Sequence, residues 1–222
     1  SKLTYIIFQH GGVYGLSYLT NKGEFYEKRV ADYWFSWGWK DNNFPNVIDG
    51  YNFKNTRNIN LNNDLAKNIL IPMPYFAKYE TRFKHIDKIS LNNDLYKIFN
   101  KIDNRIKSKL KLRPFPEINN IQLVKKIFNI DLIDNERSIL KSLANTRLHI
   151  SIVNATTFLE SLSYNVPTII FIKDPFTEFR KNSHNDISNL LKAGILYDDL
   201  DKLIWFLNKN YERINIWWNT KK

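Results

Sequence analysis

The clearest pattern of apolar and polar positions lies between Leu148 and Ile172. An apolar run over 148–153 stops at the small polar residues of 154–157, and a second apolar run follows over 168–172. Between these runs, three apolar residues recur at helical spacing before an Asn-Val-Pro break. The pattern predicts a strand, a short helix and a second strand that is buried on both faces.

The same alternation of apolar runs and helical periods recurs along the chain. A buried strand is predicted at Tyr5–Gln9, followed by a polar helix over 23–31, an aromatic strand over 32–39 and connecting loops over 41–63. Later strands are predicted at 68–72, 108–112 and 195–197, with helices at 91–106, 121–128, 136–145, 187–193 and 199–222. This order predicts an α/β fold, a Rossmann-like parallel sheet with helices on both faces.

Composition restricts the class of protein. The chain has 222 residues, of which 43% are hydrophobic and 15% aromatic, which is ample for a buried core. The absence of cysteine excludes disulfides and Cys-ligated metal sites. No apolar run approaches the ~20 residues of a membrane span, so we expect a soluble protein, and the absence of cysteine is compatible with a cytoplasmic one. Because the sequence enters a strand almost at once and lacks an initiator Met, we expect it to be cut from a longer chain.

The formal net charge is +11, which fits a nucleic-acid, phospholipid or nucleotide partner. The joint abundance of Lys, Asn, Ile, Phe and Tyr is equally explained by an AT-rich genome. Nucleic-acid binding predicts a contiguous basic stripe, whereas Lys and Arg are scattered through every predicted element. The charge therefore does not favour a nucleic-acid partner.

A glycine turn follows the first predicted strand and carries a histidine. His10 precedes Gly11, Gly12 and Gly15, and glycines at this density let backbone approach a ligand closely. The turn lacks the Gly-Lys-Ser/Thr of a P-loop and the GxGxxG spacing of a dinucleotide site. A histidine that titrates near neutral pH could act there as a base. A tight turn with a structural histidine explains the residues equally well.

Two further strand ends carry groups suited to an anion. The helix predicted after Asn154 would direct backbone N–H groups at a ligand, and Glu160, one turn later, could accept bonds from ligand hydroxyls. Arg113 ends another strand before a proline and is placed to pair with phosphate. The alternatives are that Asn154 and Thr156 are ordinary caps, that Glu160 is a solvated helix residue and that Arg113 is a surface arginine.

Taken together, these segments resemble the carboxyl-terminal part of a family of surface-polysaccharide transferases first noted in leptospiral carbohydrate loci. The resemblance rests on Gln9–Gly12 with Tyr14 and Gly15, Glu27 before Ala31-Asp32, Ser36–Trp39, Leu112-Arg113, and 154–160 with Pro167. It extends weakly to capsule and teichoic-acid polymer transferases, in which a His-Gly turn supplies the proposed base.

The resemblance implies a two-domain, GT-B-like architecture. Residues 1–66 would end an amino-terminal, acceptor-side α/β domain, and 67–222 would form the nucleotide-donor-binding domain. The implied catalytic residues are His10 and Glu27. The implied donor-binding residues are Gly11, Gly12, Gly15, Arg113, Asn154, Thr156, Thr157 and Glu160. The resemblance implies no metal and no cofactor beyond the activated donor.

The expected activity is therefore transfer of a sugar, or of a polyol phosphate, from a nucleotide-activated donor to an acceptor hydroxyl. The expected partners are a nucleotide sugar and a carbohydrate or lipid-linked acceptor, with peripheral contact at the inner membrane surface and no nucleic acid. Two alternatives stay open. The first is a catalytically silent carbohydrate- or nucleotide-binding fragment, and the second is a basic nucleic-acid-binding module.

Overall fold

The structure is a computed structural model that describes residues 3–18, 21–52, 60–61, 65–74, 88–115 and 132–220. Two parallel sheets organise the described residues, one of three strands and one of five. Their strands alternate with helices along the chain, as the hydrophobic pattern predicts.

The first sheet has the strand order β1-β2-β3, with every pair parallel. Its elements are β1 (Ile6–Phe8), α1 (Asn21–Val30), β2 (Tyr33–Ser36) and β3 (Val47–Asp49). Strand β3 lies in a stretch predicted as loop, because three residues are too few to show a strand pattern. Trp34, which is fully buried, packs with Ala31 and Val47 to form the small core of this sheet.

The prediction that the first strand is buried is wrong. Ile6 and Phe8 expose 47% and 46% of their surface, while Ile7 packs against the core. Successive side chains of a strand point to opposite faces, and α1 covers only one face of this sheet among the described residues. An uninterrupted apolar run therefore did not mean burial on both faces here.

The second sheet has the strand order β5-β4-β6-β7-β8, again with every pair parallel. Its strands are β4 (Asn68–Pro72), β5 (Leu110–Arg113), β6 (Thr146–Ser151), β7 (Thr168–Phe171) and β8 (Leu196–Tyr197). The chain passes from β4 outward to β5 and then returns to the other side of β4 with β6. This reversal of direction is the kind of switch point at which open α/β sheets bind ligands, beyond the carboxyl ends of the strands.

The helices that follow α1 differ from the predicted ones mainly in length. They are α2 (Lys88–Lys101), α3 (Asn104–Lys107), α4 (Ile139–Ala144), α5 (Thr156–Ser163), α6 (Pro175–Glu178), α7 (His184–Ala193), α8 (Leu200–Asn210) and α9 (Ile214–Asn219). The helix predicted over 91–106 is split into α2 and α3, and a 3₁₀ turn at Tyr211–Arg213 separates α8 from α9. The helix predicted over 121–128 lies outside the described residues.

Core side chains lie on both faces of the second sheet. On one face, Ile71 and Ile169 pack in a cluster with Leu203 of α8. On the other face, Ile170 packs with Phe158 of α5. Helices therefore cover both faces, and the predicted parallel α/β arrangement is confirmed.

One fully buried histidine makes this sheet sensitive to acid. His149 of β6 has its Nδ1 2.7 Å from the Ser161 hydroxyl oxygen, and burial lowers its pKa from 6.5 to about 3. The folded protein therefore keeps His149 neutral, whereas the unfolded chain takes up a proton below pH 6.5. Stability is then lost as pH falls from 6.5 toward 3, by up to about 1.4 kcal/mol per pH unit.

Urea unfolding across this pH window measures the effect. We expect His149→Gln to flatten the dependence of the unfolding free energy on pH relative to the parent chain. If both proteins lose stability with the same slope, other groups account for the acid sensitivity.

Candidate functional site

The glycine turn after β1 lies directly against the start of α5. The Gly12 backbone N–H donates a hydrogen bond of 3.0 Å to Thr156 Oγ1. A Cβ added to Gly12 would lie 2.6 Å from Leu159 Cδ1 and 3.3 Å from the Thr156 Cα. The turn therefore lies in direct contact with the 154–157 segment.

A buried amide ties the turn to the end of β2. Gln9 Oε1 accepts bonds from the Trp37 backbone N–H (2.8 Å) and the Trp39 indole N–H (2.9 Å). Its Nε2 donates to the Gly11 carbonyl at 2.7 Å. The amide of Gln9 thus satisfies groups on both segments and holds the turn in one conformation.

Gly15 closes the turn at a place where only glycine fits. Its φ is +74°, and an added Cβ would lie 2.5 Å from the Trp39 ring. Its N–H donates to Glu24 Oε2 at 2.9 Å. These contacts give Gly15 and Trp39 packing roles in the turn. The predicted contact of Gly15 with a donor stays a prediction.

His10, Tyr14 and Glu27 form a closed triangle at the surface of the turn. His10 Nε2 lies 3.0 Å from Glu27 Oε1 and 2.9 Å from the Tyr14 hydroxyl, which itself donates to Glu27 Oε1 at 2.9 Å. The other oxygen of Glu27 accepts from the Trp34 indole N–H at 3.3 Å. The His10 side chain is 63% exposed and that of Glu27 22% exposed. The two predicted catalytic residues therefore meet, and their shared partner Tyr14 is one that sequence reasoning did not assign to the site.

The start of α5 shows no side-chain cap among the described residues, so Asn154 and Thr156 are not the ordinary caps that the alternative interpretation predicted. The N-cap residue is Ala155, no side-chain cap bond forms among the described residues, and Thr156 Oγ1 is used by Gly12. Both polar atoms of the Asn154 amide and Thr157 Oγ1 are buried without a hydrogen-bond partner in the described part of the chain. Leaving such groups unpaired costs about 1–3 kcal/mol each, so a further hydrogen-bonding group at this helix start would stabilise them.

A carboxyl group missed by sequence reasoning lies beside Asn154. Burial raises the pKa of Glu178, at the end of α6, and the nearby Asn154 amide opposes that rise. The approach of the amide falls short of hydrogen-bond geometry, since neither of its polar atoms has a partner in the described ranges. The carboxyl ends of β6 and β7 thus bring two polar groups together that are 24 positions apart. The residues around Glu178 show no sequence pattern that predicts this proximity.

Arg113 lies apart from these groups. Its Nη1 donates to Asp134 Oδ2 at 2.9 Å, to the Ser142 hydroxyl at 2.8 Å and to the Glu136 carbonyl at 2.8 Å. Its strand β5 is separated from β6 by β4, which corresponds to roughly 10 Å between β5 and β6. Arg113 is therefore neither a solvated surface arginine nor in place at the start of α5. To bind a phosphate there it would have to exchange these partners.

An ion pair that is mostly buried joins the two sheets. Arg180 donates to both oxygens of Glu24, with Nη1–Oε1 at 2.9 Å and Nη2–Oε2 at 2.6 Å. Glu24 is fully buried and also accepts from Lys28 Nζ at 2.8 Å. Burial acts to raise the pKa of Glu24, but the bonds from Arg180 and Lys28 outweigh it and hold the pKa below its ordinary value. The backbone adds an antiparallel bridge between Ser17 and Phe179.

Of the predicted site residues, the structure brings together His10, Glu27, Gly11, Gly12 and Thr156 around one contact. Asn154 and Thr157 lie at the start of the same helix, and Glu160 lies one turn further along it. Arg113 alone is held elsewhere. The arrangement places an imidazole with a carboxylate partner next to a helix N-terminus, which suits proton removal beside a bound anion.

Comparison with known families identifies the family to which this chain belongs. The family described as LIC12162 family transferase matches residues 2–222. The chain belongs to this family. The resemblance to surface-polysaccharide transferases inferred from the motifs is thus confirmed as to family, and the chain is placed among transferases.

Comparison with individual proteins gives no match among curated proteins and only a distant structural similarity. No curated protein matches this LIC12162 family chain. Among solved structures, it is similar to the wall teichoic acid polymerase TagF, solved as a variant, with 11% identity and a TM-score of 0.48. The similarity covers 91% of this chain and 55% of the TagF chain, so this chain spans about half the length of that structure.

This LIC12162 family chain contains one Asp-x-Asp triplet at 199–201, and both of its carboxylates make contacts that stabilise the fold. Asp199 caps α8 by accepting from the backbone N–H groups of Asp201 and Lys202. The Asp201 carboxylate pairs with Lys97 at 2.6 Å and Lys101 at 3.0 Å. The two carboxylates are thus engaged in capping and in surface ion pairs on α8.

None of the helices in the described ranges has the length and apolar character that crossing a bilayer requires.

The contact between the turn and α5 is testable through Gly12. A Cβ at this position meets Leu159 Cδ1 at 2.6 Å and the Thr156 Cα at 3.3 Å, so the Leu159 side chain must shift and the contact between turn and helix must loosen. We expect Gly12→Ala to lower the free energy of unfolding by about 1–3 kcal/mol, as overpacking does. Thermal and urea unfolding measure the loss.

Gly23 of α1 provides the matched control, because an added Cβ there meets nothing within 4 Å. We expect Gly23→Ala to stabilise the chain by up to about 1 kcal/mol through helix propensity. Equal behaviour of the two alanine variants would contradict the close contact at Gly12.

Proposed function

We propose that this chain takes part in transferring a sugar, or a polyol phosphate, from a nucleotide-activated donor to a hydroxyl of a carbohydrate or lipid-linked acceptor. The observation that carries the proposal is the hydrogen bond from Gly12 to Thr156, because it joins the turn that holds His10 to the start of α5. A transfer of this kind needs a base for the acceptor and donors for the leaving phosphate. The turn supplies the base, His10, and the start of α5 supplies the hydrogen-bond donors.

On the acceptor side, His10 acts as the general base. Its side chain is accessible to an acceptor, and its Nε2 is held by Glu27 and Tyr14. The Glu27 carboxylate favours the imidazolium that forms when His10 takes a proton. General-base catalysis of this type contributes typically 10²–10⁴-fold to the rate.

On the donor side, the start of α5 binds the diphosphate. Backbone N–H groups at a helix N-terminus and its positive dipole end favour an anion, and they also favour the charge that grows on the leaving phosphate. The unpaired Asn154 amide and Thr157 hydroxyl supply additional polar contacts. Glu160, one turn into the helix, accepts bonds from the ribose hydroxyls. Arg113 contributes only if it exchanges its partners around Asp134.

We infer a cytoplasmic site of action at the inner membrane surface, with no nucleic acid involved. The formal charge of +11 favours contact with anionic lipid head groups. Such contact would bring the acceptor side of the chain to a lipid-linked substrate. The resemblance-based expectation that neither metal nor cofactor is needed is part of the same proposal.

A thermal-shift screen with CDP, UDP, GDP and their sugar conjugates tests the donor site. A nucleotide that binds only the folded chain at 100 times its Kd stabilises it by about 2.7 kcal/mol, which raises the melting temperature. We expect Thr157→Val, which removes one buried unpaired hydroxyl, to weaken the bound nucleotide by about tenfold while leaving the unliganded chain no less stable.

Ser188→Ala is the control, because the Ser188 hydroxyl donates within its own helix to the His184 carbonyl. If no nucleotide shifts the melting temperature, or if Thr157→Val binds as the parent does, the donor site lies elsewhere. Nucleotide binding without turnover in the full enzyme would instead favour the silent binding fragment.

A further inference from the structure

We propose that Arg180 is a positioning residue for the transfer, because it holds the glycine turn that carries His10 against the start of α5. This inference rests on the proposed function for the reaction itself. The contacts through which Arg180 reaches the turn belong to the structure and do not depend on the reaction.

Arg180 is anchored to the second sheet through the residue before it. Phe179 is 1% exposed and packs in one apolar cluster with Phe158 of α5. Phe158 is the third residue of that helix. The helix whose start is assigned to the donor therefore also fixes the backbone from which Arg180 extends.

The Arg180 guanidinium grips the first sheet at several points. Nη1 and Nη2 donate to the two oxygens of Glu24 at 2.9 and 2.6 Å, and Nε donates to the Ser17 carbonyl at 3.1 Å. The Arg180 backbone N–H donates to the Leu16 carbonyl at 2.9 Å. A guanidinium that is bonded through two nitrogens to one carboxylate fixes an orientation as well as a distance. Arg180 thus sets where the end of the glycine turn lies relative to α5.

Glu24 connects Arg180 to both elements that hold His10. Its Oε2, which accepts from Arg180 Nη2, also accepts from the Gly15 backbone N–H of the turn at 2.9 Å. Glu24 also lies about one turn before Glu27 on α1, and Glu27 Oε1 is 3.0 Å from His10 Nε2. One carboxylate therefore ties the turn and the helix to the same guanidinium.

A second polar link between the turn and α5 is weaker in kind. The Gly12 N–H donates to Thr156 Oγ1 at 3.0 Å, and neutral hydrogen bonds of this type are roughly half as strong as those between ionised groups. The Arg180 and Glu24 side chains are 15% and 0% exposed, so water competes little for their pair. The Gly12 bond is then expected to persist only while Arg180 holds the turn.

Amide hydrogen exchange at Gly12 measures whether the turn stays on α5. Gly11-Gly12 is the one Gly-Gly pair in the sequence, so glycine with heavy isotopes at both its carbonyl carbon and its amide nitrogen gives an NMR signal specific to Gly12. We expect Arg180→Met to speed exchange of this amide at least about tenfold beyond a core variant of similar stability, because the turn opens without global unfolding.

Leu203→Ala is the matched control. Leu203 is fully buried in α8 and packs on the face of the second sheet opposite to Phe158. A large-to-small core change of this kind destabilises a fold about as much as removing one partner of a buried ion pair. A general loss of stability therefore speeds Gly12 exchange equally in the two variants, and equal exchange would overturn the proposal.

Turnover of the full enzyme gives a readout that stability alone does not move. At a temperature at which circular dichroism shows both variants folded, we expect Arg180→Met to lower kcat by roughly 10–100-fold with nucleotide affinity unchanged, since misplacing a reacting group by about 1 Å costs on the order of 10²-fold. Leu203→Ala should keep kcat within about twofold of the parent. Equal kcat values in the two variants would overturn the proposal.

Arg180→Lys decides the question if Arg180→Met does not fold. Lysine keeps a cation beside Glu24 but replaces the planar fork by a single ammonium, so charge compensation stays while the fixed orientation is lost. We expect faster Gly12 exchange and a lower kcat than in the parent. A parent-like value of either quantity in Arg180→Lys would overturn the proposal.

The failure of this inference is distinguishable from the failure of the proposed function. If His10→Ala leaves turnover unchanged, His10 is not the base and the proposed function falls, while Gly12 exchange still decides whether Arg180 holds the turn. If His10→Ala abolishes turnover and Arg180→Met behaves as Leu203→Ala does, the proposed function stands and the positioning role of Arg180 falls.

Discussion

Replacing His10 by alanine in the full enzyme is expected to lower kcat by roughly 10²–10⁴-fold with little change in donor affinity. The reason is that the imidazole acts on the acceptor proton, whereas the donor diphosphate is assigned to the start of α5. Steady-state kinetics with donor and acceptor varied separately measure both parameters. A fall confined to donor affinity would assign His10 to binding rather than to proton transfer.

The control for this loss is another histidine that makes a defined contact outside the triangle. His184 has its Nε2 3.1 Å from the Phe179 carbonyl oxygen. We expect His184→Ala to keep kcat within about twofold of the parent, since one hydrogen bond outside the site does not alter the barrier. Unchanged turnover in His10→Ala would reduce His10 to a structural residue.

The second large effect is expected from the ion pair that joins the sheets. Arg180→Met should lower the free energy of unfolding by about 3–5 kcal/mol, because the fully buried Glu24 carboxylate then keeps, among the described residues, only Lys28 as a charged partner at short distance. Urea unfolding gives the value directly. Arg105→Met, which removes an exposed pair with Asp103, should cost less than about 1 kcal/mol.

The same variant changes the response to acid. The pKa of Glu24 in the folded protein is lowered, so its contribution to stability is complete above its ordinary value of 4.5 and is lost as pH falls below it. We expect Arg180→Met to lose stability less steeply than the parent in this acid range. Adding Glu24→Gln to Arg180→Met should recover part of the loss, because the uncompensated charge is gone.

If Arg180→Met costs no more than Arg105→Met, the ion pair does not contribute to holding the sheets together. The parent structure would then owe that contact mainly to the backbone bridge between Ser17 and Phe179 and to the packing of Gly12 on Leu159. Comparing Arg180→Met with Gly12→Ala separates the two contributions.

The predicted domain division also bears on this interface. The first sheet ends with Asp49 and the second begins with Asn68, on either side of the predicted boundary at 66/67. The division into acceptor-side and donor-binding domains stays a prediction. In this chain, the Arg180–Glu24 pair and the Gly12–Thr156 bond connect the two sheets.

Much of the α/β architecture was readable from the sequence because the signals that specify it are local. The apolar runs before Asn154 and after Pro167, with a helical period between them, correctly predict β6, α5 and β7. The glycine turn after β1 was also predicted correctly, because its glycines and its histidine follow the strand directly in the sequence. Where the local signal is weak, as in the three residues of β3, the prediction failed.

By itself, then, the sequence determined the parallel α/β architecture and the segments in which chemistry could reside. Only the tertiary structure decided which of these segments meet. Arg180 and Glu24 are 156 positions apart, and Gly12 and Thr156 are 144 apart, so no local pattern links them. The tertiary structure also pairs Arg113 with Asp134. It brings the Tyr14 hydroxyl into hydrogen-bond contact with Glu27, the partner of His10. Such choices depend on which polar groups become buried together, and burial is a property of the folded chain rather than of any one segment.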